Sequence, residues 1–230
     1  ICNKSAELFY GGMSIEEIEI HDNKHWANVI IEFVQSVKNK TVESSSVRVF
    51  NPDQVIHGYE NNHTVIQVAC RDMPFIVDSV TLAFDKLGLD LALLSHPIAN
   101  TERNSDGVLT KMFDNTDAGN KESWMHIEVS KMTDDASLEQ LAIEIELVIS
   151  KVNACVDDWQ SMLSTMKSAK NNLTELNDKK THKKQQEFIE WLLDNNFTFL
   201  GYQFYSNKSN SSPLSPQTDT GLGLYRSDSY

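Results

Sequence analysis

An apolar stripe in the second half of the chain limits its possible folds more than any other feature. Leu138, Leu141, Ile145, Val148, Val152, Cys155, Trp159, Met162 and Met166 follow one another at alternating steps of three and four. That is the a/d spacing of a helical seam, sustained over four heptads. One helix from 138 to 166 would be about 40 Å long, more than the sheet of a small domain covers. Its second half then needs another helix or another subunit, and Val152, Trp159, Met162 and Met166 are the residues expected to form that interface. The alternative is two helices broken near Asn153, each packed locally. The spacing allows both.

Upstream of the stripe the hydrophobic period changes twice. Residues 1–45 read as a helical lead. Ser14 with Glu17 three residues later is a capping box, the pattern breaks at His21-Asp22-Asn23, and Trp26, Ile30, Phe33 and Val37 then mark a helix over about 23–38. Val47–Phe50 reads as a short strand and Thr64–Cys70 as a β-branched strand of core type. Asp72-Met73-Pro74 follows at once and predicts a helix start, with Asp72 as cap. Ile76, Val80, Ala83, Phe84 and Leu87 form its apolar stripe and Gly88 its stop. Leu89–His96 is a near-continuous apolar strand. In Glu122–Ser130, Met125, Ile127 and Val129 alternate with Trp124, His126 and Glu128. Strand, helix, strand, returning strand, helix is the start of a ferredoxin-like α+β unit with an antiparallel sheet and two helices. Residues 46–166 are therefore expected to form one module ending in the long helix. Residues 167–186 read as a loop or frayed helix. Residues 187–230 read as the start of a second, incomplete module, with a helix and a β-hairpin.

Chemistry-bearing motifs are scarce. No GxGxxG follows a strand, and no P-loop, GxSxG or HExxH occurs. No catalytic or cofactor-binding residues are expected. His21 and His25 are four apart and could share a helix face as metal ligands, but they straddle the helix break with no third ligand suggested, so no metal is expected. His96 and His126 sit on strands that should be neighbours, and they read as structural or as a cross-strand pair. Lys167, Lys170, Lys179, Lys180, Lys183 and Lys184 form a basic cluster without interleaved aromatics and read as a solvated linker. Thirty-three acidic against 20 basic side chains give a net charge of −13, which argues against phosphate-backbone binding and against anionic membrane. The excess lies in residues 1–166, with 12 basic and 26 acidic groups; residues 167–230 carry 8 and 7. No apolar run approaches the ~20 residues of a membrane helix. Three cysteines without CxxC spacing fit a reducing, cytoplasmic setting. The place where function is best argued is Asp72, Met73, Pro74, Phe75, Asp78 and Ser79. There a strand runs into a helix N-terminus whose free N–H groups could hold a carboxylate or phosphate, unless Asp72 already caps them.

Several runs resemble the N-terminal region of the large bacterial NAD-dependent glutamate dehydrogenases. They are Asp72–Val80, His96-Pro97-Ile98, Glu122–Glu128, Val156–Trp159, Phe188–Tyr202 and Gly221–Leu224, in order along the chain. The resemblance implies a piece of a much longer polypeptide: a first ACT-like module, a helical connector, and the start of a further module. The parent would oxidise L-glutamate to 2-oxoglutarate and ammonium with NAD, using downstream domains. This segment would be regulatory or drive homo-oligomer assembly; alternatively it would sense an amino-acid effector at the Asp72–Ser79 loop. Two departures favour assembly. Phe75 stands where amino-acid-binding ACT domains usually carry glycine, and the strand that should follow the second helix is missing. Val47–Phe50 is the segment available to replace it.

Overall fold

The computed structural model describes residues 1–114, 118–175, 179–207 and 213–226, which fall into two compact units, 1–149 and 150–230. The first unit opens with helices α1 (Cys2–Gly11), α2 (Ile15–Glu19) and α3 (Asn23–Val37). The Ser14–Glu17 capping box forms as the sequence suggests, each side chain meeting the other's backbone N–H. Asp22 caps α3 by accepting the His25 N–H at 2.7 Å.

The sheet is built from β1 (Ser46–Phe50), β2 (Thr64–Arg71), β3 (Leu91–Ser95), β4 (Ile98–Arg103), β5 (Leu109–Phe113) and β6 (Asn120–Val129). All pairings are antiparallel, in the order β1-β2-β6-β4-β5, with β3 also on β6. β3 and β4 run along the same edge of β6, interrupted at His96-Pro97. The Val47–Phe50 segment lies on the free edge of β2, where the expected fourth strand is needed. The ACT-like sheet is thus completed by the module's first strand and not by one after its second helix. Ile98–Arg103 and Leu109–Phe113 are strands the sequence did not announce. Register places Ser95, not His96, opposite His126, so the two histidines are not a cross-strand pair.

Every residue of β2 from Thr64 to Cys70 is buried, because helices cover both faces. On one face Phe9 of α1 and Ile30, Phe33, Val34 and Val37 of α3 pack with Ala69, Ala99, Leu109, Met112 and Trp124. On the other, Met125, Ile127 and Val129 are fully enclosed. Further buried stripes belong to α4 (Ile76–Leu87), through Ile76, Val80, Ala83 and Phe84, and to the start of α5 (Asp135–Asp157), through Leu141, Ile145 and Ile149. Leu87, expected in the α4 stripe, is exposed. Gly88 ends α4 at φ +67°, where the Gly88 and Leu89 N–H groups reach back to Asp85 and Phe84.

The heptad stripe is carried by two helices, α5 and α6 (Trp159–Glu175), broken at Asp158 rather than near Asn153. Helical bonds Asp158 N–H to Ala154 C=O and Met162 N–H to Asp158 C=O bridge the break. The buried residues of α5 are Leu141, Ile145, Ile149, Val152 and Ala154, whereas Val148 is only half-buried. From Leu141 to Val152 the steps of four, four and three follow the 3.6-residue turn of an ordinary helix rather than a supercoiled seam.

The second unit contains α6, α7 (Lys179–Trp191), a π-helical turn at Leu192–Asn196 and four short strands. The Lys-rich stretch read as loop or frayed helix is thus helical on both sides of 176–178. β7 (Gly201–Tyr202) pairs with β10 (Leu222–Gly223), and β8 (Tyr205–Ser206) with β9 (Ser215–Pro216). Asp158 organises this unit. Its Oδ2 accepts the Gly223 N–H at 2.8 Å and Arg226 Nε at 3.1 Å, and its Oδ1 accepts Arg226 Nη2 at 2.5 Å. The Cys155 thiol donates to the Leu200 carbonyl at 3.0 Å, and Trp159 packs 6.2 Å from Phe199.

Candidate functional site

The loop from β2 into α4 forms because two elements hold its ends and neither holds its middle. Asp72 is fixed to β6: its N–H donates to the Lys121 carbonyl at 3.0 Å, and its Oδ1 accepts the Ser123 hydroxyl at 2.7 Å. Met73 is buried, with Arg71 Nη2 3.7 Å from its sulfur. Pro74 and Phe75 turn outward, Phe75 with 55% of its surface exposed. Asp72 therefore does not cap α4, contrary to expectation. The N-cap position falls on Phe75, which has no side-chain cap bond, and the Ser79 N–H closes the first turn on the Phe75 carbonyl at 2.9 Å. Asp78 in that turn is exposed and Ser79 half-buried.

Phe75 adopts φ +68°, ψ 0°. A β-carbon makes this left-handed conformation cost about 1–2 kcal/mol, which glycine avoids. The backbone thus takes the shape a glycine would favour while carrying a phenyl ring. The uncapped first turn of α4 presents backbone N–H groups and the positive end of the helix dipole, able to receive a carboxylate. His96 is close enough to feel Asp72. Burial lowers its pKa and the Asp72 charge opposes that.

The residues expected at a helical interface do not stay together on one surface. Met162 is fully enclosed and Val152 nearly so, while Trp159 and Met166 are half-buried. Trp159 and Met166 are what this stripe offers to a partner.

His21 and His25 meet across the turn between α2 and α3, their rings stacked at 3.7 Å between centroids. Sequence reasoning found no third group for them. In the structure Glu128 of β6 is that group, 103 positions beyond His25 and placed only by strand register. Burial disfavours ionisation of Glu128, yet the hydrogen bond and charge of His126 outweigh it and hold the carboxyl down at about 2. Burial, then the neighbouring His21, pulls His25 down to about 4.

Fold and loop together define an ACT-like α+β module. Residues 5–145 match the family model described as glutamate dehydrogenase, ACT1 domain, and the chain belongs to that family. The match begins inside α1 and so takes in the N-terminal helices together with the sheet. The chain is 30% identical over 235 residues to the NAD-specific glutamate dehydrogenase of Halomonas elongata, covering 97% of this chain. It is 27% identical over 234 residues, 98% of the chain, to that of Pseudomonas aeruginosa. Over 145 residues, 60% of the chain, it is 25% identical to that of Mycobacterium tuberculosis. The chain spans 14% of the length of each of the first two relatives. No helix among the described residues is long and apolar enough to cross a membrane.

Proposed function

We propose that this chain is the non-catalytic N-terminal regulatory and assembly segment of a cytoplasmic NAD-dependent glutamate dehydrogenase. Its parent converts L-glutamate and NAD to 2-oxoglutarate, ammonium and NADH, and NAD binds in domains downstream of this segment. The observation that carries the reading is nearly full-length similarity to relatives of that name, of which this chain matches only a small fraction. Its partners are then the other domains of the parent chain and further copies of it, for which Trp159 and Met166 are available. The test compares the full-length enzyme with a version lacking this segment. Light scattering should show altered assembly, and glutamate-dependent NADH formation should lose its response to metabolites. Unchanged assembly and unchanged response would sink the proposal.

A second reading is favoured by the uncapped start of α4: an amino-acid effector seats its carboxylate on the first turn of that helix, beside Asp72, Asp78 and Ser79. Met73 and Pro74 shape the loop, and Phe75 guards its mouth. Thermal-shift titration with the twenty amino acids tests it. A shift that vanishes in Phe75→Trp supports the reading, and no shift with any of them excludes it.

A further inference from the structure

The histidine and carboxylate cluster under the α2–α3 turn is independent of that loop. His21 and His25 come from the turn and the first residues of α3, and Glu128 from the central strand β6. One ligand atom from each lies within 4.8 Å of the others. Two histidines fixed by a capped helix start and a carboxylate fixed by a strand form the donor set of a three-ligand zinc site that keeps one position open.

Three observations point beyond chance proximity. First, Glu128 is held from behind: His126 Nε2 lies 3.3 Å from its Oε1 and His63 Nδ1 3.3 Å from its Oε2. Such outer partners orient a ligating carboxylate. Second, His25 Nε2 is buried without a hydrogen-bond partner among the described residues. A buried ring nitrogen without a partner is costly, and a cation bound there relieves that cost. Third, a cleft of about 410 Å³ opens above the rings, lined by His21, His25, Asp22, Tyr59 and Glu60 among others. Lys24 lines it too and Glu128 does not, so the cleft gives access to the two histidines and room for a water ligand on their side.

We propose that His21, His25 and Glu128 bind one divalent transition-metal ion, with Zn²⁺ the best match, and that this ion pins the start of α3 to β6. Ligand bonds of about 2.0–2.1 Å in a tetrahedron bring the donor atoms to about 3.4 Å apart. The two rings now lie nearly parallel, 10° between planes, so each must tilt out of the stack for both nitrogens to meet one ion. A set with two nitrogens and one oxygen favours Zn²⁺ over Mg²⁺, which prefers oxygen.

The test uses the whole chain, stripped with EDTA and titrated with ZnCl₂ by calorimetry, with MgCl₂ as control. The expected result is one Zn²⁺ per chain at micromolar Kd or tighter, a raised Tm, no effect of Mg²⁺, and an intense visible band on Co²⁺ substitution. His21→Gln and His25→Gln should each weaken binding at least tenfold, while His182→Gln leaves it unchanged. His21→Gln alters a half-exposed residue, so its circular dichroism should match the parent, and loss of binding then reads ligation rather than misfolding. Absence of stoichiometric Zn²⁺ binding, or binding unaffected by both substitutions, overturns the proposal.

Discussion

Arg103 holds Glu122 through two parallel contacts, Nε to Oε1 at 2.6 Å and Nη2 to Oε2 at 3.0 Å. The pair lies inside the sheet–helix core, with both side chains almost fully enclosed. Thr101 and Trp124 also donate to Glu122, at 2.9 and 3.0 Å, and Lys40 stands 3.7 Å away. Arg103 spends its other donors on the Val37 and Gly107 carbonyls. One ion pair thus joins β4, β6, the end of α3 and the tip of the β4–β5 hairpin. Removing Glu122 leaves the Arg103 and Lys40 charges without their carboxylate in the interior, and removing Arg103 leaves Glu122 with the Lys40 charge alone. Arg103→Met or Glu122→Leu alone should cost about 3–5 kcal/mol in urea unfolding, whereas the double replacement should recover at least half of that. A double mutant no better than the sum of the singles would contradict this account.

The same pair sets an acid limit. Burial pushes the Glu122 carboxyl up, but the Arg103 and Trp124 hydrogen bonds and the Lys40 charge outweigh it, so its pKa lies below 4.5. A carboxyl whose folded value is depressed stabilises the fold above its unfolded value. That contribution is lost as pH falls from about 4.5 through the folded value. Urea midpoints measured from pH 7 to 3 should fall more steeply below pH 4.5 in the parent than in Glu122→Gln.

Phe75 offers a test of backbone strain. Phe75→Gly relieves about 1–2 kcal/mol in the folded state and gives back up to about 1 kcal/mol through unfolded-chain entropy. It should leave stability unchanged or raise it by up to about 2 kcal/mol, despite deleting a whole ring. Phe75→Val, branched at the β-carbon in the same conformation, should be less stable than the parent. Equal loss in both variants would mean that the ring, not the backbone angle, dominates.

The second unit hangs on Asp158, whose pKa burial raises but Arg226 and the Gly223 N–H lower further. Asp158→Ala should speed amide exchange at Gly223 and loosen residues 199–226 by about 1–3 kcal/mol. Exchange in β2 and β6 should not change.

The three thiols should react in a fixed order. Cys2 is exposed, Cys155 is half-buried and bonded to Leu200, and burial pushes the Cys70 thiol up to about 12. A thiol-disulfide reagent at pH 8 should label one group quickly, and that phase should vanish in Cys2→Ser. Cys70 should react only on unfolding.

The elements with a strong period were legible in the sequence: β2, β6, α3, α4 and the capping box at Ser14. The polar side of β6 could be read as a face but not as an interior one. Glu122, His126 and Glu128 look like solvent positions until α1 and α3 cover them, and their partners come from distant segments. β4 and β5 went unseen because Thr101, Glu102, Arg103 and Lys111 carry no apolar alternation; their pairing rests on register and on the Glu122 network. The break at Asp158 was hidden because Trp159, Met162 and Met166 resume in phase beyond it. At the loop, propensity could not foretell a left-handed phenylalanine, nor that Ser123 would take the Asp72 carboxylate from the helix. The third group beside His21 and His25 was out of reach for a different reason. Spacing finds ligands that share an element, and Glu128 shares none with them.

The edge strand β1 opens the module whose sheet it completes. Its pairing with β2 closes over the thirteen residues 51–63, so this half of the sheet can form before β6 is made. The long-range pairing of β6 with β2 must wait for about fifty further residues. Once β6 arrives, the sheet has no vacant edge beside β2 left to fill. α5 is therefore released from supplying a closing strand, and translation can continue into the next unit with the first already shut.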